Sequence, residues 1–227
     1  MPNLGLQSNW IWLSDLQSFD RVLVIDWPHP ALVHSVSSQF RTVVAVSADL
    51  ARCRSLAEDA RTRAAMNIRV IHASPAQLPL SSESIDCAVL NVVAPPGSRM
   101  ARARTLAPSA AECARVLAAS GWIFATWENW KWHRRLLGGL RPGRGSAAAG
   151  AGGRPSVGCS PERILARSGF RDRRPYYLFP SLSTPFEVIP VRRDALLTRT
   201  RGRARRALVR LHCHAFLFPD RLLMAKK

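Results

Sequence analysis

Five short apolar runs recur along the first 130 residues, and stretches of helical periodicity separate them. The runs are Arg21-Val22-Leu23-Val24-Ile25, Thr42-Val43-Val44-Ala45-Val46-Ser47, Ile68-Arg69-Val70-Ile71-His72, Ser84–Asn91 and Trp122–Trp127. Several are apolar at consecutive positions, the pattern of strands buried on both faces of a parallel sheet. Between them, Ala31–Phe40, Ala48–Ala65 and Ala107–Ala119 predict helices. In the second, Leu50, Cys53, Leu56, Ala57 and Ala60 form one apolar stripe. Pro30 stands where the first of these helices can begin, and Gly121 marks the region where the third is expected to end. Trp10–Phe19 predicts a short lead-in helix. Strand and helix thus alternate five times, which predicts an α/β, doubly wound, mostly parallel sheet with right-handed crossovers. Ligands of such sheets sit at the carboxyl ends of the strands, where the strand order reverses.

The rest of the chain has a different texture. Gly138–Ser160 is rich in glycine, alanine and arginine, and reads as a flexible insertion. Ser160-Pro161-Glu162 opens a helix with a capping serine and a first-turn proline, ending near Ser168-Gly169-Phe170. The extended segment 173–191 predicts one or two strands. The expected organisation is one domain over residues 1–190, with the insertion at about 138–160, and a basic C-terminal extension over 191–227.

Charge sharpens this division. The chain carries a net +18, yet residues 1–90 sum to −1 and residues 91–227 to +19. Of 33 basic residues, only Lys131, Lys226 and Lys227 are lysines. Such asymmetry points to an anionic partner, RNA or a phosphorylated substrate, although a compositional bias toward arginine gives the same excess. Arg192, Arg193, Arg199, Arg201, Arg203, Arg205, Arg206 and Arg210 crowd the last segment, followed by Leu211, Phe216, Leu217, Phe218, Leu222 and Leu223. Three readings suit it, in this order: a solvated face whose apolar side covers the sheet, an RNA contact, and an interfacial helix on anionic lipid. No apolar run reaches the length of a membrane span, and the N-terminus lacks the charge pattern of a secretory signal. Five scattered cysteines without CxxC spacing predict reduced thiols, a cytoplasmic location and no metal site. His212-Cys213-His214 is too compact for a metal site at strand spacing.

In order and spacing, several motifs resemble those of the class I S-adenosylmethionine (SAM)-dependent methyltransferases, of the type 11 kind. Ala73-Ser74-Pro75-Ala76-Gln77-Leu78-Pro79-Leu80 is similar to the family's Gly-Asp-Ala-x-x-Leu-Pro-Phe stretch. Ile85-Asp86-Cys87-Ala88-Val89 resembles its Phe-Asp-x-Val strand. Glu112-Cys113-Ala114-Arg115-Val116-Leu117 with Gly121 resembles its Glu-x-x-Arg-Val-Leu-x-x-Gly-Gly segment, and Ser168-Gly169-Phe170 its late Gly-Phe. The resemblance spans roughly residues 20–180 and implies a Rossmann-like sheet of the class I methyltransferase fold, with SAM as the cofactor if one is bound.

The positions that hold that cofactor in the family are occupied differently here. The first strand normally runs into Asp-x-Gly-x-Gly-x-Gly; on that pattern the acid falls on Val24 and the glycines on Asp26, Pro28 and Pro30. Ser47 stands where an acid grips the ribose hydroxyls, with Asp49 two residues on, and Ser74 stands where an Asp meets the adenine amine. The prolines remove two backbone donors, and serine cannot match a carboxylate gripping two hydroxyls. Asn91 with Ala94-Pro95-Pro96-Gly97 is similar to the Asp/Asn-Pro-Pro-aromatic motif of amino-methylating relatives, without its aromatic residue. The residues placed to line any cofactor site are therefore Asp26, Trp27, His29, Ser47, Asp49, Ser74 and Asn91, with no catalytic base nominated. Asp26 and His29 could form an acid–histidine couple; the simpler expectation is that Asp26 caps the following helix and His29 is solvated. Trp127, Glu128, Trp130, Trp132 and His133 could contact a substrate or partner, or pack beneath the insertion. The resulting expectation is a methyltransferase-like pseudoenzyme acting as a non-catalytic partner or scaffold with a protein partner. The alternatives are an active methyltransferase with an atypical pocket and a nucleic-acid-binding module on the same fold.

Overall fold

The structure is a computed structural model that describes residues 20–27, 29–92, 99–128, 160–179, 187–191 and 220–227. Its centre is β1 (Arg21–Ile25), whose Val22, Leu23, Val24 and Ile25 are wholly buried. Parallel to β1 lie β2 (Thr42–Ser47) on one side and β4 (Ile85–Val92) on the other. β3 (Ile68–His72) flanks β2, and β5 (Leu117–Glu128) flanks β4. β8 (Asp220–Lys226) runs antiparallel to β5 and also pairs with β6 (Arg171–Phe179), and β7 (Glu187–Pro190) closes the far edge. The sheet order is β3-β2-β1-β4-β5-β8-β6-β7. With the short edge strand β7 set aside, this is the class I methyltransferase topology, in which the final strand inserts antiparallel between its two predecessors in space.

Side-chain alternation divides the core in two. Leu23, Ile25, Val44, Val46, Ala88 and Leu90 face α3 (Arg99–Val116) and α4 (Pro161–Arg167). Val22, Val24, Val43, Ala45, Cys87, Val89 and Phe124 face α1 (Pro30–Ser37) and α2 (Leu50–Thr62). A sheet buried on both faces explains why its central strands show almost no polar positions. The helices stop and start on chemistry visible in the sequence. Pro30 occupies the first turn of α1, Asp49 caps α2 by accepting from the Arg52 N–H, and Ser160 caps α4 by accepting from the Arg163 N–H. Gly169, at φ +92°, turns the chain out of α4 into β6.

Two clusters hold the layers in register. Asp86 accepts from the backbone N–H groups of Asp20 and Arg21 at 3.2 and 2.9 Å, so a β4 side chain satisfies the entry of β1. Arg115 donates twice to Glu112 and to the carbonyls of Leu78 and Leu80, while Glu112 accepts from the Leu78 N–H. The stretch from Ala73 to Ser84 has no helix of its own and is strapped to α3 by this clamp.

Three expectations are corrected. The third helix runs over Arg99–Val116, not Ala107–Ala119, and accommodates Pro108 internally. Gly121 is not a cap region; it lies in β5, after a register shift in which Leu117 pairs with Ile85 and Trp122 with Cys87. A Cβ there would sit 3.0 Å from the Ala118 carbonyl oxygen and 3.1 Å from that of Asp86, so any larger residue would crowd two backbone carbonyls at the bulge. Finally, residues 220–226, assigned from sequence to a basic extension, form β8 inside the sheet, where Leu222, Leu223, Met224 and Ala225 are fully buried. The domain boundary at residue 190 therefore leaves out one of the sheet's own strands. The lead-in helix, the insertion (apart from Ser160), the arginine run 192–210 and His212-Cys213-His214 lie outside the described residues. No helix among the described residues is long and apolar enough to cross a membrane.

Candidate functional site

The strand order reverses between β1 and β4, so the carboxyl ends of β1, β2 and β4 frame the position where this architecture binds ligands. β1 ends in Asp26, whose backbone adopts φ +53°, a left-handed conformation that suits glycine and that Asp and Asn tolerate better than other residues. Its N–H donates to the Val46 carbonyl at 3.1 Å. Its carboxylate turns toward β2 and accepts the Ser47 hydroxyl at 2.7 Å. Ser47 is fully buried, and its oxygen also accepts from the Asp49 N–H at 3.1 Å. Burial raises the Asp26 carboxyl above the usual carboxylate range, against the opposing pull of the Ser47 hydroxyl and the Arg52 charge. The ends of β1 and β2 are thus joined side chain to side chain.

The neighbouring residues extend this joint. Asp49 caps α2 and lies 3.9 Å from the Arg52 guanidinium. The Cys53 thiol donates to the carbonyls of Ser47 and Ile71, and a ring nitrogen of His72 is 3.1 Å from the Ala48 carbonyl. On the other side, Asn91 is buried at the end of β4; its amide donates to the Ile25 carbonyl and its oxygen accepts from the buried Thr126 hydroxyl of β5.

Of the seven residues nominated from sequence, Asp26, Ser47 and Asn91 are brought to the strand ends, where Asp26 Oδ1, the Ser47 hydroxyl and the Asn91 amide are engaged by the protein itself. Asp49 is half exposed beside them. Ser74 is exposed in the turn after β3, where it holds the backbone of Ala76 and Gln77. His29 is exposed at the N-cap position of α1 and makes no side-chain cap bond. No hydrogen bond or ion pair joins it to Asp26 among the described residues, and Asp26 does not cap α1. Among the described residues Trp27 is the largest wholly buried side chain, in one core cluster with Leu32, Val33 and Val36, and its indole Nε1 has no hydrogen-bond partner among them. Trp127 is likewise buried, in the core layer beneath α3 and α4. Pro28, residues 94–97, Trp130, Trp132 and His133 fall outside the described residues.

Sequence reasoning missed two partners. Thr126 satisfies Asn91 across the β4–β5 ladder, and only strand register, which a sequence does not display, could pair them. His34, on the buried side of α1, bonds Asp59 of α2 at 2.7 Å and ties the two helices together. Burial opposes the charge on Asp59, but Arg63 and His34 outweigh it and hold its carboxyl below the usual range. The three described cysteines are buried; burial pushes the Cys113 thiol up to about 12, which keeps it unreactive.

No protein-family sequence model and no curated protein sequence matches the chain. Solved structures match its fold throughout. A SAM-dependent methyltransferase from Thermotoga maritima superposes with a TM-score of 0.55 at 13% identity, covering 99% of this chain and 88% of the other. Geranyl diphosphate C-methyltransferase from Streptomyces coelicolor A3(2), solved with S-adenosyl-L-homocysteine, gives 0.53 at 13% identity over 91% and 73%. The cyclase SpnF gives 0.57 at 16% identity over 98% and 79%. The chain has the class I methyltransferase fold. At these identities the likeness is one of architecture, and architecture does not decide chemistry.

Proposed function

We propose that this protein is a methyltransferase-fold pseudoenzyme: it does not hold SAM in the family's manner and acts as a non-catalytic partner or scaffold. The observation that carries the reading is the Asp26–Ser47 bond. The position of the first loop glycine and the position of the ribose-binding acid are occupied by two side chains that satisfy each other. An adenosyl nucleoside needs a carboxylate free to accept from two ribose hydroxyls and a loop whose backbone approaches the cofactor closely. Ser47 is buried with its hydroxyl committed, and Asp26 puts a side chain where the pattern calls for none. The residues present do not fit the group in that mode, and no methyl-transfer step is assigned.

A second reading, an active SAM-dependent methyltransferase with an atypical pocket, is favoured by one observation. The Asp49 side chain is 52% exposed beside the same strand ends and has one carboxylate oxygen beyond its capping bond. Isothermal titration of the purified chain with SAM and with S-adenosyl-L-homocysteine separates the two. The pseudoenzyme reading expects no saturable heat up to about 1 mM ligand, that is, binding weaker than about −4 kcal/mol. Micromolar affinity for either ligand overturns it and returns catalysis to first place.

A further inference from the structure

At the opposite end of the sheet from the strand mouths, basic side chains collect around one short segment. Between residues 163 and 174 the chain carries Arg163, Arg167, Arg171, Arg173 and Arg174, all exposed. Arg163 and Arg167 stand one turn apart on α4, whose other side buries Ile164 and Leu165. Neighbouring side chains at that spacing lie about 5–6 Å apart at Cβ. Arg171 opens β6 and pairs in register with Lys226 of β8, which in turn pairs with Trp122 of β5. Arg174 and Lys226 both lie over the Trp122 ring, 5.8 and 5.9 Å from its centre. Arg173 reaches back to the Glu162 carbonyl, which joins the helix side of the edge to the strand side.

Acids balance this edge only in part; Glu162 stands in the first turn of α4. Asp172 is committed to Arg174, and Glu83 lies 3.7 Å from Lys227. Among the described residues, Arg167 and Arg171 have no acidic partner. The edge also adjoins the start of the arginine-rich segment: the Val191 N–H donates to the Pro175 carbonyl, and Arg192 and Arg193 follow in sequence.

We propose that this edge, α4 with the first residues of β6 and the end of β8, is a binding surface for the phosphate backbone of RNA. The choice of partner rests on three features. Positive side chains outnumber negative ones along it, and Arg167 and Arg171 have no acidic partner among the described residues. The excess is carried almost wholly by arginine, whose planar fork takes phosphate oxygens in pairs. It is also spread along an edge, as a repeating anion requires, and is not gathered into one pocket. The surface lies away from the Asp26–Ser47 joint, so the proposal stands whether or not SAM binds.

Fluorescence anisotropy of the full chain with a short mixed-sequence single-stranded RNA, over about 50 to 200 mM salt, tests it. The native chain is expected to bind with an affinity that falls steeply with salt. The variant Arg163→Glu/Arg167→Glu/Arg171→Glu is expected to bind at least about tenfold more weakly. Its salt slope should be smaller by about 2, at about 0.7 per single-strand phosphate contact. A control, Arg54→Glu/Arg61→Glu/Arg69→Glu, makes the same change in net charge on exposed positions of α2 and β3 and should change affinity by less than about threefold. The milder Arg167→Ala/Arg171→Ala variant, checked for folding by circular dichroism, gives the reading if the triple variant misfolds; it should weaken binding and lower the slope by about 1. Equal losses in both triple variants overturn the proposal, because net charge alone then explains binding. Absence of binding at about 50 mM salt overturns it too. So does displacement of the RNA by polyglutamate at the same charge concentration, which would mark an acidic-protein surface instead.

Discussion

Replacing Ser47 with alanine isolates the joint on which the functional reading rests. The Ser47 hydroxyl donates to Asp26 at 2.7 Å and accepts from the Asp49 N–H at 3.1 Å, within a residue that is fully buried. Its removal deletes a hydrogen bond to a charged acceptor, about 1.5–3 kcal/mol, and leaves a backbone donor short of a partner, about 1–3 kcal/mol. Water reaching the exposed side of Asp49 recovers part of the second loss, so Ser47→Ala should destabilise the native chain by about 2–4 kcal/mol at pH 7. Asp26→Asn keeps the shape, the left-handed tolerance and the acceptor oxygen, and removes the charge. In that background the same serine change should cost about 1–2 kcal/mol, since a neutral hydrogen bond is worth roughly half a charged one. Urea unfolding of the four proteins closes the double-mutant cycle, with an expected coupling of about 1–2 kcal/mol. A serine change that costs the same in the native chain as in the Asp26→Asn background would refute the reasoning, because the hydroxyl would then not be supporting a buried carboxylate.

Three further outcomes follow from the same geometry. The Asp26 carboxyl is raised in the folded state, so the folded chain binds this proton more tightly than the unfolded one. The stability advantage of the neutral form is complete below the unfolded value of 3.8 and is lost as pH rises through the folded value. Native minus Asp26→Asn stability, measured by denaturant melts, should therefore decline with rising pH across that window; a rise would contradict it. Glu112 behaves oppositely, because Arg115 first and then the Leu78 N–H hold its carboxyl below the usual 4.5. Its contribution is present above 4.5 and disappears as pH falls through the lower folded value, so Glu112→Gln should flatten the acid limb of a stability–pH curve. Gly121→Ala drives a Cβ to 3.0 Å from one backbone carbonyl and 3.1 Å from another, neither able to move aside cheaply; thermal denaturation should show a loss of about 1–3 kcal/mol.

The central strands were legible because burial on both faces writes itself as consecutive apolar residues. Arg21–Ile25 and Thr42–Ser47 form strands at the boundaries their sequence suggests, and so does the half-buried edge strand Ile68–His72. β8 was not legible. Arg221-Leu222-Leu223-Met224-Ala225 is no longer or more apolar than many helical stretches, and it follows a run of arginines that dominates the local pattern. What makes it a strand is its place between β5 and β6, a tertiary fact. The start of α3 was hidden for a different reason. Pro108 reads as a first-turn residue, yet the helix passes through it and forgoes one backbone bond. At the candidate site, the sequence showed which positions differ from the pattern it resembles. It could not tell that two of them meet, because nothing in the spacing of Asp26 and Ser47 places one side chain on the other.

That meeting separates two kinds of motif position in one chain. Asp86, Glu112 and Arg115 match the family's pattern, and each is occupied with holding backbone: the entry of β1 and the stretch after β3. Asp26, Ser47 and Ser74 depart from the pattern; both serines lack a carboxylate, and Asp26 has one carboxylate oxygen bound by Ser47. Random decay would remove motif residues of both sorts and leave buried polar groups without partners. Here Asp26 and Ser47 satisfy each other, and Asn91 is met by Thr126 and the Ile25 carbonyl. Trp27 is the exception, with an indole N–H that nothing meets among the described residues. Its burial among Leu32, Val33 and Val36 turns the residue after Asp26 into core on the α1–α2 side. The two residues after β1 are thus held on two sides, Asp26 by a hydrogen bond toward β2 and Trp27 in the core beneath α1. On the proposed reading, a fold kept intact around such a site is what a protein retained for its surface would show.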